Sequence, residues 1–319
     1  MATEKLESLV RSLPSGLTQL ATILTATLLF GSTFPAGKLL LQHHTPPLML
    51  AGIRFLIAAL SIFLAIAFLI RDGQRLLRPR VKLRQAAIIA AVGILQTGIC
   101  IGCLFMAMER ITPPAAALLL FTNPIWVAAL GTVVLRQPLT TMRILGLASG
   151  IVGVALILRP SSTGFDALGY VFGLLSSFGW AGATLLTKKA KLPISPWALT
   201  FWQMIVGGVV LLCFSIVLGE KWSQAFPYRA DISTLAWLAI PASAGAYGLW
   251  SMALGRSRDA GEVSSFLFLV PFFATILSYC LLGSTLSAEQ LLGGGAICLG
   301  IWISTRPSSS ASPTLLATR

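Results

Sequence analysis

The residues of this 319-residue chain whose types and spacing could do chemistry suit the binding of a solute, not the breaking of a bond. The only histidines, His43 and His44, are adjacent between two apolar runs, and there is no HExxH motif. All ten acidic residues lie between the apolar runs or at their ends, so no two carboxylates sit at depth for acid–base work. The five cysteines (Cys100, Cys103, Cys213, Cys280 and Cys298) all fall inside apolar runs, where a disulfide framework is not expected. The Cys100–Cys103 spacing reads as a small-residue face. Without a positioned nucleophile, a base or a metal set, neither catalysis nor a metal nor a cofactor is expected.

What remains is a set of polar and aromatic side chains at helical spacing. Residues three and four apart share a helical face. Gln96, Cys100 and Cys103 make one such face, and 147 residues further on stand Ser243, Tyr247 and Trp250. Ser32 and Ala36 correspond, 148 residues on, to Trp180 and Thr184. Aromatic rings beside a few hydroxyls and amides suit an amphipathic organic solute better than a bare ion. Interhelical hydrogen bonding is the alternative role for each of these residues.

Asn123 and Ser264 belong to the same group of candidates, each near a proline. Pro124 and Pro271 each remove a backbone donor and are expected to open their helices locally, and Pro35 and Pro241 add further bends. Arg54 is the one clear charge within an apolar run. It reads as a polar gate or as a contact for a solute carboxylate, with a snorkelling, assembly-related role as the alternative. Its counterpart, 149 residues on, is Gln203. Lys188 and Lys189 would serve a phosphate-bearing solute if they faced a cavity. Anchoring at the membrane edge explains them equally well.

The elements that must position these residues follow from composition. Hydrophobic residues make up 56% of the chain and charged residues 10%, against roughly 25% charged in a soluble domain. A membrane span takes about 20 apolar residues. Ten runs qualify: roughly 18–37, 47–70, 85–107, 114–135, 142–158, 167–187, 196–218, 233–254, 263–282 and 288–304. The fifth and tenth are the shortest. The expected fold is therefore an all-α integral membrane protein.

The runs also repeat. At a constant offset of 147, Leu120, Phe121, Pro124, Leu135, Gly146 and Gly153 recur as Leu267, Phe268, Pro271, Leu282, Gly293 and Gly300. Gly98 recurs as Gly245 at the same offset, and Pro47 as Pro196 at 149. Each copy has an odd number of spans, so the two enter the membrane in opposite orientations. Inverted repeats of this kind are an architecture of secondary transporters.

The division expected is a segment at 1–17 with short-helix spacing, a first five-helix repeat at 18–160, a second at 161–305 and a disordered tail at 306–319. With the N-terminus inside, 17 Lys and Arg fall in cytoplasmic segments and 5 in external ones, so both termini are expected in the cytoplasm. Because the net charge of +13 follows topology and not one surface, nucleic acid is not expected as a partner. Gly146, Gly150 and Gly153, echoed by Gly293, Gly294, Gly295 and Gly300, form small faces suited to tight helix packing or to a homodimer.

These features together resemble the EamA-type members of the drug/metabolite transporter superfamily. The matching stretch is Ala115–Leu120, Asn123–Pro124, Leu135 and Leu145–Gly146 through Gly150 and Gly153, with a second copy around Pro271, Leu282, Leu291–Leu292–Gly293 and Gly300. Phe30–Gly31–Ser32, Pro47 and Arg54 fit the same pattern. A glutamate common in the family after the fourth and ninth spans is replaced here by Gln137 and Ser284. The resemblance implies ten helices in two inverted five-helix repeats, a central cavity and alternating access in a bacterial inner membrane. It also implies a small-molecule substrate, with export of aromatic and neutral amino acids as the leading activity. An antiporter of nucleotide sugars or phosphorylated metabolites is the alternative. No carboxylate lies at depth to bind a coupling ion, which favours facilitative transport, Glu109 and Glu262 near span ends being the exceptions.

Overall fold

The structure, a computed structural model, describes residues 15–43, 45–69, 81–108, 110–111, 113–158, 166–224, 228–282 and 287–304. The expected leader helix before residue 15, Glu109, Ser284 and the tail at 306–319 lie outside the described residues.

Backbone groups in hydrocarbon find no water, so each apolar run must satisfy its hydrogen bonds within itself, as a helix. Among the described residues ten apolar helices result: α1 (Ser15–Gln42), α2 (Pro47–Leu69), α3 (Leu83–Met108), α4 (Pro113–Leu120 and Asn123–Val134), α5 (Thr141–Leu158), α6 (Ala167–Ala190), α7 (Pro196–Val217), α8 (Arg229–Ala239, then on to Arg256), α9 (Ala260–Ser265, then on to Leu282) and α10 (Ala288–Ser304). Nine are long and apolar enough to cross a membrane, and α10 is a shorter apolar helix of 17 residues. No strand occurs among the described residues. The chain is an all-α, multi-pass membrane protein.

The two halves are built alike. Helix α1 packs on α8 and α9, and its counterpart α6 packs on α3 and α4. Each of the pairs α2–α7 and α5–α10 joins a helix to its own counterpart. Glycine makes the second pair possible. A Cβ on Gly153 would lie 2.5 Å from the Gly293 carbonyl oxygen, and one on Gly300 would lie 2.5 Å from that of Gly146. Only a hydrogen fits at these crossings. These two glycine faces are thus occupied within one chain, and Ser149 Oγ adds a bond to the Ala296 carbonyl at 2.8 Å.

The irregularities repeat too, and the prolines explain several of them. Pro124 has no N–H for the Leu120 carbonyl, and the helix breaks at Phe121–Thr122. The Asn123 side-chain amide donates to that same carbonyl at 3.1 Å, replacing the missing donor. In α9, Pro271 deprives Leu267, and a 3-10 turn spans Phe266–Phe268. Helix α8 widens to a π segment at Ile240–Gly245 around Pro241, and α3 carries the matching π segment Ile94–Ile99. At Pro35, by contrast, α1 continues unbroken from Ser15 to Gln42.

Candidate functional site

Aromatic residues from both halves converge in the middle of the bundle. Phe30 on α1, Trp180 on α6, and Tyr247 and Trp250 on α8 form one group. Phe30 meets Tyr247 edge-on at 4.9 Å and Trp180 at 5.5 Å. Trp180 stacks on Tyr247 at 5.7 Å, and Trp250 lies 6.3 Å from Trp180. Such pairs contribute beyond their area, by about 0.5–1.5 kcal/mol each. Phe55 of α2 extends the group to Tyr247 at 5.6 Å. All are buried, Tyr247 and Trp250 to 1% exposure, so no water-sized space adjoins those two rings.

The indole N–H groups of Trp180 and Trp250 nevertheless have no hydrogen-bond partner. Neither does Thr184 Oγ1, one turn below Trp180. A buried polar group left unpaired costs about 1–3 kcal/mol. Asn123 Oδ1, Ser264 Oγ and Gln203 Nε2 are further buried atoms without partners, near the helix breaks and on α7. Cys100 is fully buried within the same core as the rings.

Arg54 and Ser243, separated by 189 residues, meet directly: Arg54 Nε donates to Ser243 Oγ at 2.7 Å. Ser243 in turn donates to the Leu238 carbonyl, five residues back, a bond that the π segment allows. The Arg54 guanidinium lies 4.9 Å over the Phe55 ring. No carboxylate pairs with Arg54 among the described residues.

Other candidates fall elsewhere. Ser32 donates to the Leu29 carbonyl and accepts from Trp237 Nε1 at 3.1 Å, so it serves an α1–α8 contact. Gln96 is buried in the π segment of α3. Pro124 and Pro271 act on the backbone, Pro35 leaves α1 unbroken, and none of the three takes part in a ring contact described above. Lys188 caps the end of α8, its ammonium donating to the carbonyls of Leu254 at 2.7 Å and of Ser257.

A cavity of about 590 Å³ opens at this same end of the bundle. It is lined by Lys188, Lys191, Arg256 and Arg258, with Thr187 and Ser251 deeper in. Ser251 follows Trp250 and shares a 3.0 Å hydrogen bond with Thr200 of α7. The cavity lining thus comes as close in sequence to the aromatic group as the residue next to Trp250, while none of the rings lines it.

Two further polar features carry no signal in the sequence. Arg143, one of the 17 basic residues counted to the cytoplasmic segments, is only 6% exposed. Its Nη1 and Nη2 bond the two oxygens of Asp259 at 2.7 Å each. Burial pushes the Asp259 carboxyl up. The hydrogen bonds and charge of Arg143, with the amides of Gly261 and Glu262, outweigh it and hold the group below the usual carboxylate range. At the opposite end, Glu220 accepts from the amides of Leu48 and Met49 at 2.9 and 2.8 Å, capping α2 from the end of α7. Phe30 and Phe55 also went unmarked as site residues, since nothing local separates a ring that lines a site from one that packs against lipid.

Known proteins resemble this chain in sequence and in fold. A model of the EamA-like transporter family matches residues 17–159 and again 167–306. A probable amino-acid metabolite efflux pump of Salmonella typhimurium is 30% identical over 82% of this chain and 86% of that protein. The uncharacterized inner membrane transporter YedA of Escherichia coli K12 is 28% identical over 87% of each. One crystal structure superposes with a TM-score of 0.76 at 16% identity, covering 90% of this chain and 96% of that one. At that identity the likeness concerns the fold.

Proposed function

This chain belongs to the EamA-like transporter family, and we propose that it exports aromatic and neutral amino acids and related small metabolites across a bacterial inner membrane. That it is a membrane transporter of a small molecule, and no enzyme, follows from the family. The observation that carries the finer reading is the aromatic group of Phe30, Trp180, Tyr247 and Trp250, where rings from both repeats surround unpaired indole donors. A ring-bearing solute with polar ends satisfies both features at once. The name given to the Salmonella relative points the same way.

The mechanism is alternating access. The rings are buried to 6% exposure or less in this conformation, so the solute enters only when the halves part. The broken helices α4 and α9 and the π segments of α3 and α8 are the places where bending costs least. The basic end faces the cytoplasm under the positive-inside rule, placing both termini there. Transport is facilitative, because the described acidic residues sit at helix starts or in connections. A homodimer is compatible with this reading, although the Gly146–Gly300 and Gly153–Gly293 crossings are formed within one chain.

One observation favours a second reading, an antiporter of nucleotide sugars or phosphorylated metabolites: four cations line the open cavity. Efflux from liposomes holding the purified protein separates the two. Saturable efflux of labelled phenylalanine, unaffected by a pH gradient, supports the first reading. Efflux confined to phosphorylated solutes, lost in the Lys188→Gln variant, supports the second.

A further inference from the structure

We infer that the protein recognises its solute as a carboxylate anion through Arg54, and that aromatic carboxylic acids lacking an amino group are substrates alongside the amino acids. The inference rests on the export reading above and narrows its substrate class.

Three observations lead to it. The first is the unpaired cation. A guanidinium within a membrane span is retained only if something compensates its charge. Ser243 supplies a neutral oxygen to Nε, and Phe55 offers its ring face. The two Nη groups have no hydrogen-bond partner among the described residues. They are the pair that grips a carboxylate in bidentate fashion. Arg143 shows what a structural arginine of this chain does instead, with both its Nη groups on Asp259.

The second is position. Ser243 precedes Tyr247 by one turn of α8, so the residue that holds Arg54 stands directly beside the ring that stacks on Trp180. A solute whose ring enters the aromatic group places its polar end toward Arg54.

The third is the sign of the polar groups. The unpaired polar atoms of the rings themselves, the indole N–H groups of Trp180 and Trp250, are both donors. No aspartate or glutamate among the described residues lies with the rings to receive an ammonium. Recognition is thus built for the carboxylate end, and an α-amino group meets only neutral oxygens such as Thr184 Oγ1. The open cavity below repeats that preference, since its lining holds Lys188, Lys191, Arg256 and Arg258 and no acidic side chain. Such a mouth concentrates anions.

The test is competition in proteoliposomes containing the full chain, which avoids the unaided passage of weak acids through the bilayer. Uptake of labelled phenylalanine is measured against unlabelled 3-phenylpropionate, which lacks the amine, and against phenethylamine, which lacks the carboxylate. The expected result is inhibition by 3-phenylpropionate at concentrations within about threefold of those at which phenylalanine itself competes, and none by phenethylamine. Binding to the detergent-solubilised protein, followed by tryptophan fluorescence, should weaken at least about tenfold for both carboxylates in Arg54→Gln and by a smaller factor in Arg54→Lys, which keeps the charge but loses the bidentate pair.

Inhibition by phenethylamine but not by 3-phenylpropionate overturns the inference and leaves amino-acid export standing. So does unchanged affinity in a folded Arg54→Gln variant. Absence of any phenylalanine uptake, with 3-phenylpropionate still bound in an Arg54-dependent way, overturns the export reading and leaves the carboxylate site. Absence of both overturns the two together.

Discussion

Arg143 at the start of α5 and Asp259 before α9 form a two-bond ion pair, 2.7 Å at each contact, that fastens the first repeat to the second at the basic end of the bundle. Arg143 has 7% side-chain exposure and Asp259 34%. Removing the carboxylate therefore strands a nearly buried cation, while water screens part of the pair. The Asp259→Asn variant should lose about 1–3 kcal/mol of stability, seen as a lower melting temperature in detergent.

The pH dependence of that pair has a definite sign. The folded carboxyl lies below its ordinary value of 3.8, so its stabilisation is fully present above that value and is lost as pH falls through the lower, folded one. The gap in melting temperature between the native chain and Asp259→Asn should stay constant from about pH 8 to pH 5 and close below about pH 4. A gap that changes near neutrality would show that another group controls it.

Trp250→Phe separates stability from function. The substitution keeps an aromatic ring and deletes an indole N–H that has no partner in a site of 1% exposure. Stability should be unchanged or higher by up to about 1–3 kcal/mol, less what the smaller ring gives up in packing. Transport should fall, because that donor has its use in the occupied state. A variant that transports normally would remove Trp250 from the binding group.

Two alanine substitutions on neighbouring helices should act with opposite signs. At Gly153 the new methyl meets the Gly293 carbonyl at 2.5 Å, backbone against backbone, and the α5–α10 pair must separate. The expected loss is about 1–3 kcal/mol. At Gly295 nothing lies within 4 Å, so alanine should stabilise α10 by up to about 1 kcal/mol through helix propensity. Thermal unfolding of the two purified variants decides both.

Glu220→Ala should loosen the end of the bundle opposite the ion pair. It leaves the amides of Leu48 and Met49, and the hydroxyl of Ser215, without their carboxylate. The cost expected for a lost charged cap is about 0.5–2 kcal/mol. Faster amide exchange confined to the first turn of α2 would locate the effect.

Much of the fold was legible in the order of residues alone. Span length and apolar composition belong to consecutive residues, and hydrocarbon leaves such runs one structure, the helix. The repeat of Pro124 as Pro271 announced the equivalent helix breaks, and the glycines around Gly153 and Gly300 announced faces for close packing, though not that α5 and α10 would pack on each other. The lack of catalytic groups was equally local. So was the spacing of Ser243, Tyr247 and Trp250 along α8.

Tertiary packing alone decided what those residues meet. Arg54 and Ser243 stand 189 residues apart, and no pattern in either neighbourhood names the other. Arg143 looked like one more cytoplasmic cation until the turn before α9 was laid across it. Ser32 had the spacing of a site residue, yet its hydroxyl is spent on Trp237. Phe30 became part of the central group because α1 lies between α8 and α9, a placement fixed by glycine contacts such as Gly31 against Phe273. Sequence specifies which groups exist and which face of a helix they share. Which partners they find depends on how helices distant in sequence pack, and that is a property of the assembled bundle.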